Sequence, residues 1–214
     1  YSSRKSNKFA IIEKRLKKQF MKIRILITIS IGISAIGILM AMAKGPSSSG
    51  APAAHTGAPG EKTCATVGCH DDNEINAGTA KVWFSIGSAS NYVPKKTYPI
   101  TINIADVNIN RFGFQAVAIS ELTGKSIGTI IITDPERTQL ANTNEFPDRE
   151  YITYGFGGTD AVTPGNGEWK FNWKAPSQNL GPVRFHVSAV SANDNENDKG
   201  DFVYTSSWLI NDSK

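Results

Sequence analysis

Two cysteines and a histidine carry the most distinctive chemistry in the chain, in the run Cys64-Ala-Thr-Val-Gly-Cys69-His70. Covalent haem attachment needs two thiols to add to the vinyl groups and a histidine directly after the second thiol to ligate the iron. The usual spacing is C-x-x-C-H. Here four residues separate the cysteines, so the loop between them has to bulge. The same pair suits a local disulfide in an oxidising compartment. A zinc site from Cys64, Cys69, His70 and His55 is a third chemistry, poor in ligands for an exported chain. The chain has three histidines, His55, His70 and His186, and one of them falls where haem chemistry requires it. A disulfide has no use for that neighbour, so the run leans towards haem c on Cys64 and Cys69, with His70 as the iron ligand.

The sixth ligand is constrained by composition. All three methionines, Met21, Met40 and Met42, precede the segment expected to be exported, which excludes His/Met ligation there. His55, nine residues before Cys64, can fold back over an iron, so the site is expected to be bis-histidine through His55 or open on one side. His186 alternates with Val183, Phe185 and Val187 and should point away from the core. A second cluster, Asn193–Asp201, holds Asp194, Glu196, Asp198 and Asp201. It misses the EF-hand register because Lys199 stands where glycine is needed, and it reads as a solvated hairpin tip. No G-x-S-x-G elbow, H-E-x-x-H or P-loop is present, and the chain is not expected to be an enzyme.

The elements that must position these residues are strands. Period-two alternation runs through Val82–Ile86, Tyr98–Ile104, Phe112–Ala118, Trp169–Trp173, Val183–Val187 and Phe202–Trp208, with a β-branched run at Gly128–Thr133. Gly/Asn/Pro turns separate them, and a long loop is expected over Asp134–Asp148. Eight or nine short strands without helices predict an all-β, immunoglobulin-like antiparallel β-sandwich over 81–214. Trp169, Phe171 and Trp173 should share its core face.

The N-terminus reads as an export signal or anchor over 1–43. A basic flank precedes Ile25–Ala43, an uncharged run of 19 residues ending in Ala-Met-Ala. That length also spans a bilayer, so the segment serves either as a cleaved signal, leaving Lys44 first, or as a membrane anchor. Met21 opens an ordinary signal sequence and is the expected start, with residues 1–20 an upstream extension. Residues 44–60, rich in Gly, Pro, Ser and Ala, predict a flexible spacer, followed by the cysteine/histidine segment at 61–80. The whole chain has a formal charge of +4, but residues 44–214 carry 14 basic and 18 acidic side chains. That exported part therefore lacks the basic surface that nucleic-acid binding requires.

Several segments together resemble the bacterial choice-of-anchor V domain, itself similar to the reelin N-terminal (Reeler) domain. They are Thr56-Gly-Ala-Pro-Gly-Glu61, Thr63-Cys64, Gly68-Cys69-His70, Tyr98-Pro-Ile-Thr-Ile102, Arg111-Phe-Gly-Phe-Gln115, Ser126-Ile-Gly-Thr129, Trp169-Lys-Phe-Asn-Trp173 with Ala175-Pro176, and Gly200-Asp-Phe-Val-Tyr204. The resemblance spans roughly residues 56–205. It implies an extracytoplasmic, Reeler-like β-sandwich, and relatives with the shorter C-x-x-C-H form support haem by analogy. This chain departs in its cysteine spacing and in Tyr154, where the resemblance implies a histidine that would be a second iron ligand. It also ends at Lys214 without a sorting domain, so anchoring is expected from the N-terminal segment. The functional expectation is an exported β-sandwich carrying haem c for electron transfer or small-ligand sensing. The alternative is a non-redox adhesion or assembly module with a Cys64–Cys69 disulfide. The partner is then a redox or cell-surface protein, or the membrane through an uncleaved N-terminal segment.

Overall fold

The computed structural model describes residues 50–213 and, apart from them, Met21. The signal or anchor expected over 1–43 and the beginning of the spacer lie outside the described residues. Among the described residues no helix is long and apolar enough to cross a membrane.

Ten strands follow one another: β1 (Lys81–Ser85), β2 (Asn91–Tyr92), β3 (Thr97–Ala105), β4 (Arg111–Ser120), β5 (Thr129–Ile132), β6 (Thr138–Ala141), β7 (Tyr151–Tyr154), β8 (Asn166–Lys174), β9 (Val183–Ala192) and β10 (Phe202–Asp212). They form a four-stranded sheet, β1-β3-β8-β5, and a six-stranded sheet, β2-β10-β9-β4-β7-β6. Pairing is antiparallel except between β10 and β2. Inward residues of the two sheets make one core, and the aromatic rings set its centre. Trp169 of β8 stacks on Phe114 of β4, centroids 4.4 Å apart, across the gap between the sheets. Trp173 meets Phe185 and Tyr92 edge-on at 5.5 Å, the geometry that ring quadrupoles favour. Both indole N–H groups are satisfied, Trp169 by the carbonyl of Gly158 and Trp173 by that of Ile127. The β-sandwich expected from alternation is therefore the fold, and Trp169, Phe171 and Trp173 share its core face.

Three differences from the sequence reading concern short or covered elements. The stretch expected as a loop over Asp134–Asp148 contains β6, which pairs with β7 from Thr138↔Tyr154 to Ala141↔Tyr151. Strand β4 is buried on both faces from Phe112 to Ser120, not on alternate residues only. The cause is the third difference: from Gly50 onward the expected flexible spacer is packed. Residues 50–76 form a strap across the outer face of the six-stranded sheet. Ala54 and Ala58 sit on Val117, Ile119 and Tyr151, while Cys64 sits on Val190 and Val203. Small residues suit that role because they let the strap backbone come close to the sheet. Among the described residues the opposite outer face, on the four-stranded sheet, carries no such cover. Trp83 of β1 is 43% exposed there and Ile131 of β5 is 38% exposed.

Candidate functional site: the strapped face and its cysteine–histidine loop

The strap is fixed by polar side chains that the sandwich would otherwise leave unpaired beneath it. Gln115 of β4, fully buried, accepts the His55 backbone N–H at 2.7 Å and donates to the Pro52 carbonyl at 2.8 Å. Ser188 of β9 accepts the Cys64 N–H at 3.3 Å. Thr153 of β7 accepts the Ala51 N–H at 3.3 Å. The strongest fixing is Glu61. Its carboxylate has no exposed surface and receives Arg149 at 2.5 Å, the Tyr151 hydroxyl at 2.9 Å and the Thr56 hydroxyl at 2.5 Å. Arg149 also donates to the carbonyls of Gly124 and Pro59 and lies over the Phe146 ring. Burial, and then the Glu61 carboxylate, push the Tyr151 phenol well above its usual range. A buried charge pair of this kind holds only when its remaining donors and acceptors are also used, as they are here.

The cysteine–histidine loop lies at the far end of the strap. The His70 N–H donates to the Cys64 carbonyl at 3.1 Å and the Cys69 N–H to the Thr66 carbonyl at 2.8 Å, with Gly68 in the left-handed region at φ 81°. The loop is therefore a closed bulge, as its spacing requires. His70 presents Nδ1 to Asp201 Oδ2 at 2.7 Å, and Asp201 is buried. Facing a carboxylate, Nδ1 carries the proton, which leaves Nε2 as the free ring nitrogen. Asp201 is itself fixed by the Asn193 N–H at 2.9 Å. His55 likewise turns Nδ1 towards the carbonyls of Pro52 and Ala53, and its own carbonyl is 4.0 Å from Cys64 Sγ. The fold thus brings His55, Cys64, Cys69 and His70 into one stretch of strap. His186 is on the same outer face, on β9 opposite Val117, and is not part of that loop.

Asp201 was not legible as a site residue, being the last acid of a run that reads as solvated. The rest of that run is organised around Lys199, whose ammonium is 2.8 Å from Asp71, 3.1 Å from Asp72 and 3.8 Å from Asp198. Those carboxylates raise the Lys199 pKa, the bond to Asp71 most.

The geometry bears on haem in two opposite ways. An imidazole with Nδ1 bound to a carboxylate is the arrangement that orients metal-ligating histidines, and His70 has it. Cys64 does not fit. Both thiols are free, with no disulfide between them. The Cys64 thiol is 7% exposed against Val190 and Val203. Burial pushes its pKa up to about 11, where it is a poor nucleophile at neutral pH. Two surface hollows, one lined by Thr79, Lys81 and Asp106 and another by Leu122, Ile127 and Leu180, include no residue of the loop. Among the described residues no group of three or more His, Cys, Asp or Glu could hold a metal ion. Tyr154, where the resemblance implied a histidine, packs against the main core.

No family model matches the chain, and no curated protein matches it, so the resemblance to the choice-of-anchor V domain remains one of motifs. Among solved structures, the human F-spondin reeler domain is similar at 20% identity, over 65% of this chain and 92% of that one, with a TM-score of 0.45. A cohesin module from a Clostridium perfringens family 33 glycoside hydrolase is similar at 9% identity, over 63% of this chain and 96% of that one, with a TM-score of 0.43.

Proposed function

We propose that the chain is an extracytoplasmic, non-catalytic binding module that meets a protein partner through the outer face of its four-stranded sheet. The observation that carries this reading is the asymmetry of the sandwich. One outer face is crossed by the strap, with Leu209 of β10 still 41% exposed on it. Among the described residues the other is uncovered, with Trp83 and Ile131 exposed on its two edge strands, either side of Thr101, Lys170 and Asn172. Exposed indole and aliphatic side chains spread across one rigid sheet face are the composition of an interface. In this reading the cysteine–histidine loop is part of the cover and not a redox centre. Export by the N-terminal segment places the module outside the cytoplasm. The test is a pair of variants in the exported protein. Trp83→Ser with Ile131→Thr should keep the fold and abolish recovery of the protein in envelope-bound complexes, whereas Cys64→Ser with Cys69→Ser should leave that recovery unchanged. Recovery that follows the cysteines and ignores Trp83 would overturn it.

A second reading, haem binding, is favoured by one observation, the Asp201 carboxylate behind His70. Its test is co-expression with a haem-maturation system. A thioether-linked mass gain and a Soret band lost in His70→Ala would establish it. A colourless protein of unmodified mass would end it.

A further inference from the structure

His186 is half-buried on the face that the strap crosses, and one of its ring nitrogens is unused. It is on the outer face of β9, in register with Val117 of β4, the residue on which Ala54 and Ala58 of the strap pack. Its Nε2 is buried and has no hydrogen-bond partner among the described residues. A buried imidazole nitrogen without a partner is tolerated as a neutral acceptor but not as a protonated donor, whose charge and N–H both need water or an acceptor. The ionisable groups near enough to act on it come from four places: Arg184 on its own strand, Glu121 in the turn after β4, Arg149 before β7, and Glu61 on the strap. The guanidinium groups oppose protonation and the carboxylates favour it. Both carboxylates are already engaged, Glu121 by Arg184 at 2.7 Å and Glu61 by Arg149 at 2.5 Å. With the strap closed, an imidazolium at 186 has no free counter-ion.

We infer that the strap is an acid-sensitive cover whose sensor is His186: protonation of this side chain is accommodated by lifting residues 50–61, which hydrates the imidazolium and uncovers the outer face of β4 and β9. The direction follows from burial, which lowers the His186 pKa from its ordinary value of 6.5, with Arg184 adding to the effect. A group that is harder to protonate when folded stabilises the closed state fully above its unfolded value. That contribution is lost as pH falls through the folded value. The window therefore opens below pH 6.5.

The experiment is amide hydrogen exchange on the exported chain at pH 7.5 and pH 5.5, expressed as protection factors so that the intrinsic rate cancels. The amides of Ala51 and His55, which bond Thr153 and Gln115 of the sheet, should lose protection by up to about tenfold over the lower pH unit, the limit for release of one proton-linked contact. Ile102 and Phe171 in the core should keep theirs. His186→Gln should remove the pH dependence, and His186→Asn provides the same readout if the glutamine variant does not fold. Unchanged strap protection in the wild type overturns the inference. So does an equal loss in the His186 variants, or a loss that vanishes in Glu61→Gln while persisting in His186→Gln, which assigns the sensor to the carboxylate. An equal loss at core amides also overturns it, because the event is then global unfolding.

Discussion

Removing the Glu61 carboxylate tests whether the strap is part of the fold or a passenger on it. Glu61→Ala deletes a buried anion that holds Arg149, Tyr151 and Thr56. Arg149 is left 9% exposed with no counter-ion. Breaking a buried pair by removing one partner costs about 3–5 kcal/mol, because the surviving charge stays desolvated. Two features of the site reduce that figure. Arg149 keeps its bonds to the carbonyls of Gly124 and Pro59. The strap can also lift and let water reach the guanidinium, which limits the loss to what holds residues 50–61 down. The expected cost is therefore about 3 kcal/mol. A domain of this size loses roughly 2–4 °C per kcal/mol, so the melting temperature should fall by about 6–12 °C. Arg149→Ala should cost a similar amount for the mirror reason. The double variant should cost clearly less than the sum of the two, since it removes both buried charges. Thermal and urea melts followed by tryptophan fluorescence supply the four corners of the cycle. A loss under about 1 kcal/mol for both single variants, with additive behaviour, would place the pair in the class of exposed ion pairs and refute the description of the clasp.

Further outcomes follow from the core and the loop. Trp169→Ala removes a fully buried indole stacked on Phe114 and should destabilise by about 3–5 kcal/mol in the same melts. Gly158→Ala places a Cβ 2.1 Å from the Arg137 carbonyl and shifts the carbonyl that receives Trp169, so it should depress the melting temperature although residue 158 is in a short turn. Asp201→Ala releases both His70 and the Asn193 N–H. Nitrogen-detected NMR should then show His70 losing its single Nδ1–H tautomer.

Alternation made the inner faces legible in the sequence, because each inward residue of β3, β8 and β9 meets the same apolar layer. It failed on β4, where both faces are covered, and on β6 and β7, four residues each, too short to show a period. The strap was invisible for a compositional reason. A Gly, Pro and Ala-rich stretch reads as a linker whether its small residues are free or pressed onto a sheet, as Ala54 and Ala58 are. One signal was available: Glu61 is the only acid between Glu13 and Asp71 and closes a run of small residues, with a hydroxyl five positions earlier at Thr56. The site was legible in part. The sequence grouped Cys64, Cys69 and His70 and reached back to His55; the strap carries all four, but among the described residues no three His, Cys, Asp or Glu gather into a metal-holding group. It gave no hint that Cys64 is covered, since the cover comes from Val190 and Val203, far along the chain. Nor did it reveal Asp201, whose neighbours in sequence are exposed acids while it turns inward to meet His70.

Site-resolved photocrosslinking in the exporting cell tests the central claim most directly. A photoreactive residue placed at position 83 or 131, on the open sheet, is compared with one at position 67, where Val67 is exposed on the cysteine–histidine loop. The account predicts one discrete protein adduct from 83 and 131 and none from 67. An adduct from 67 alone, with the open sheet silent, would contradict it and return the function to the loop.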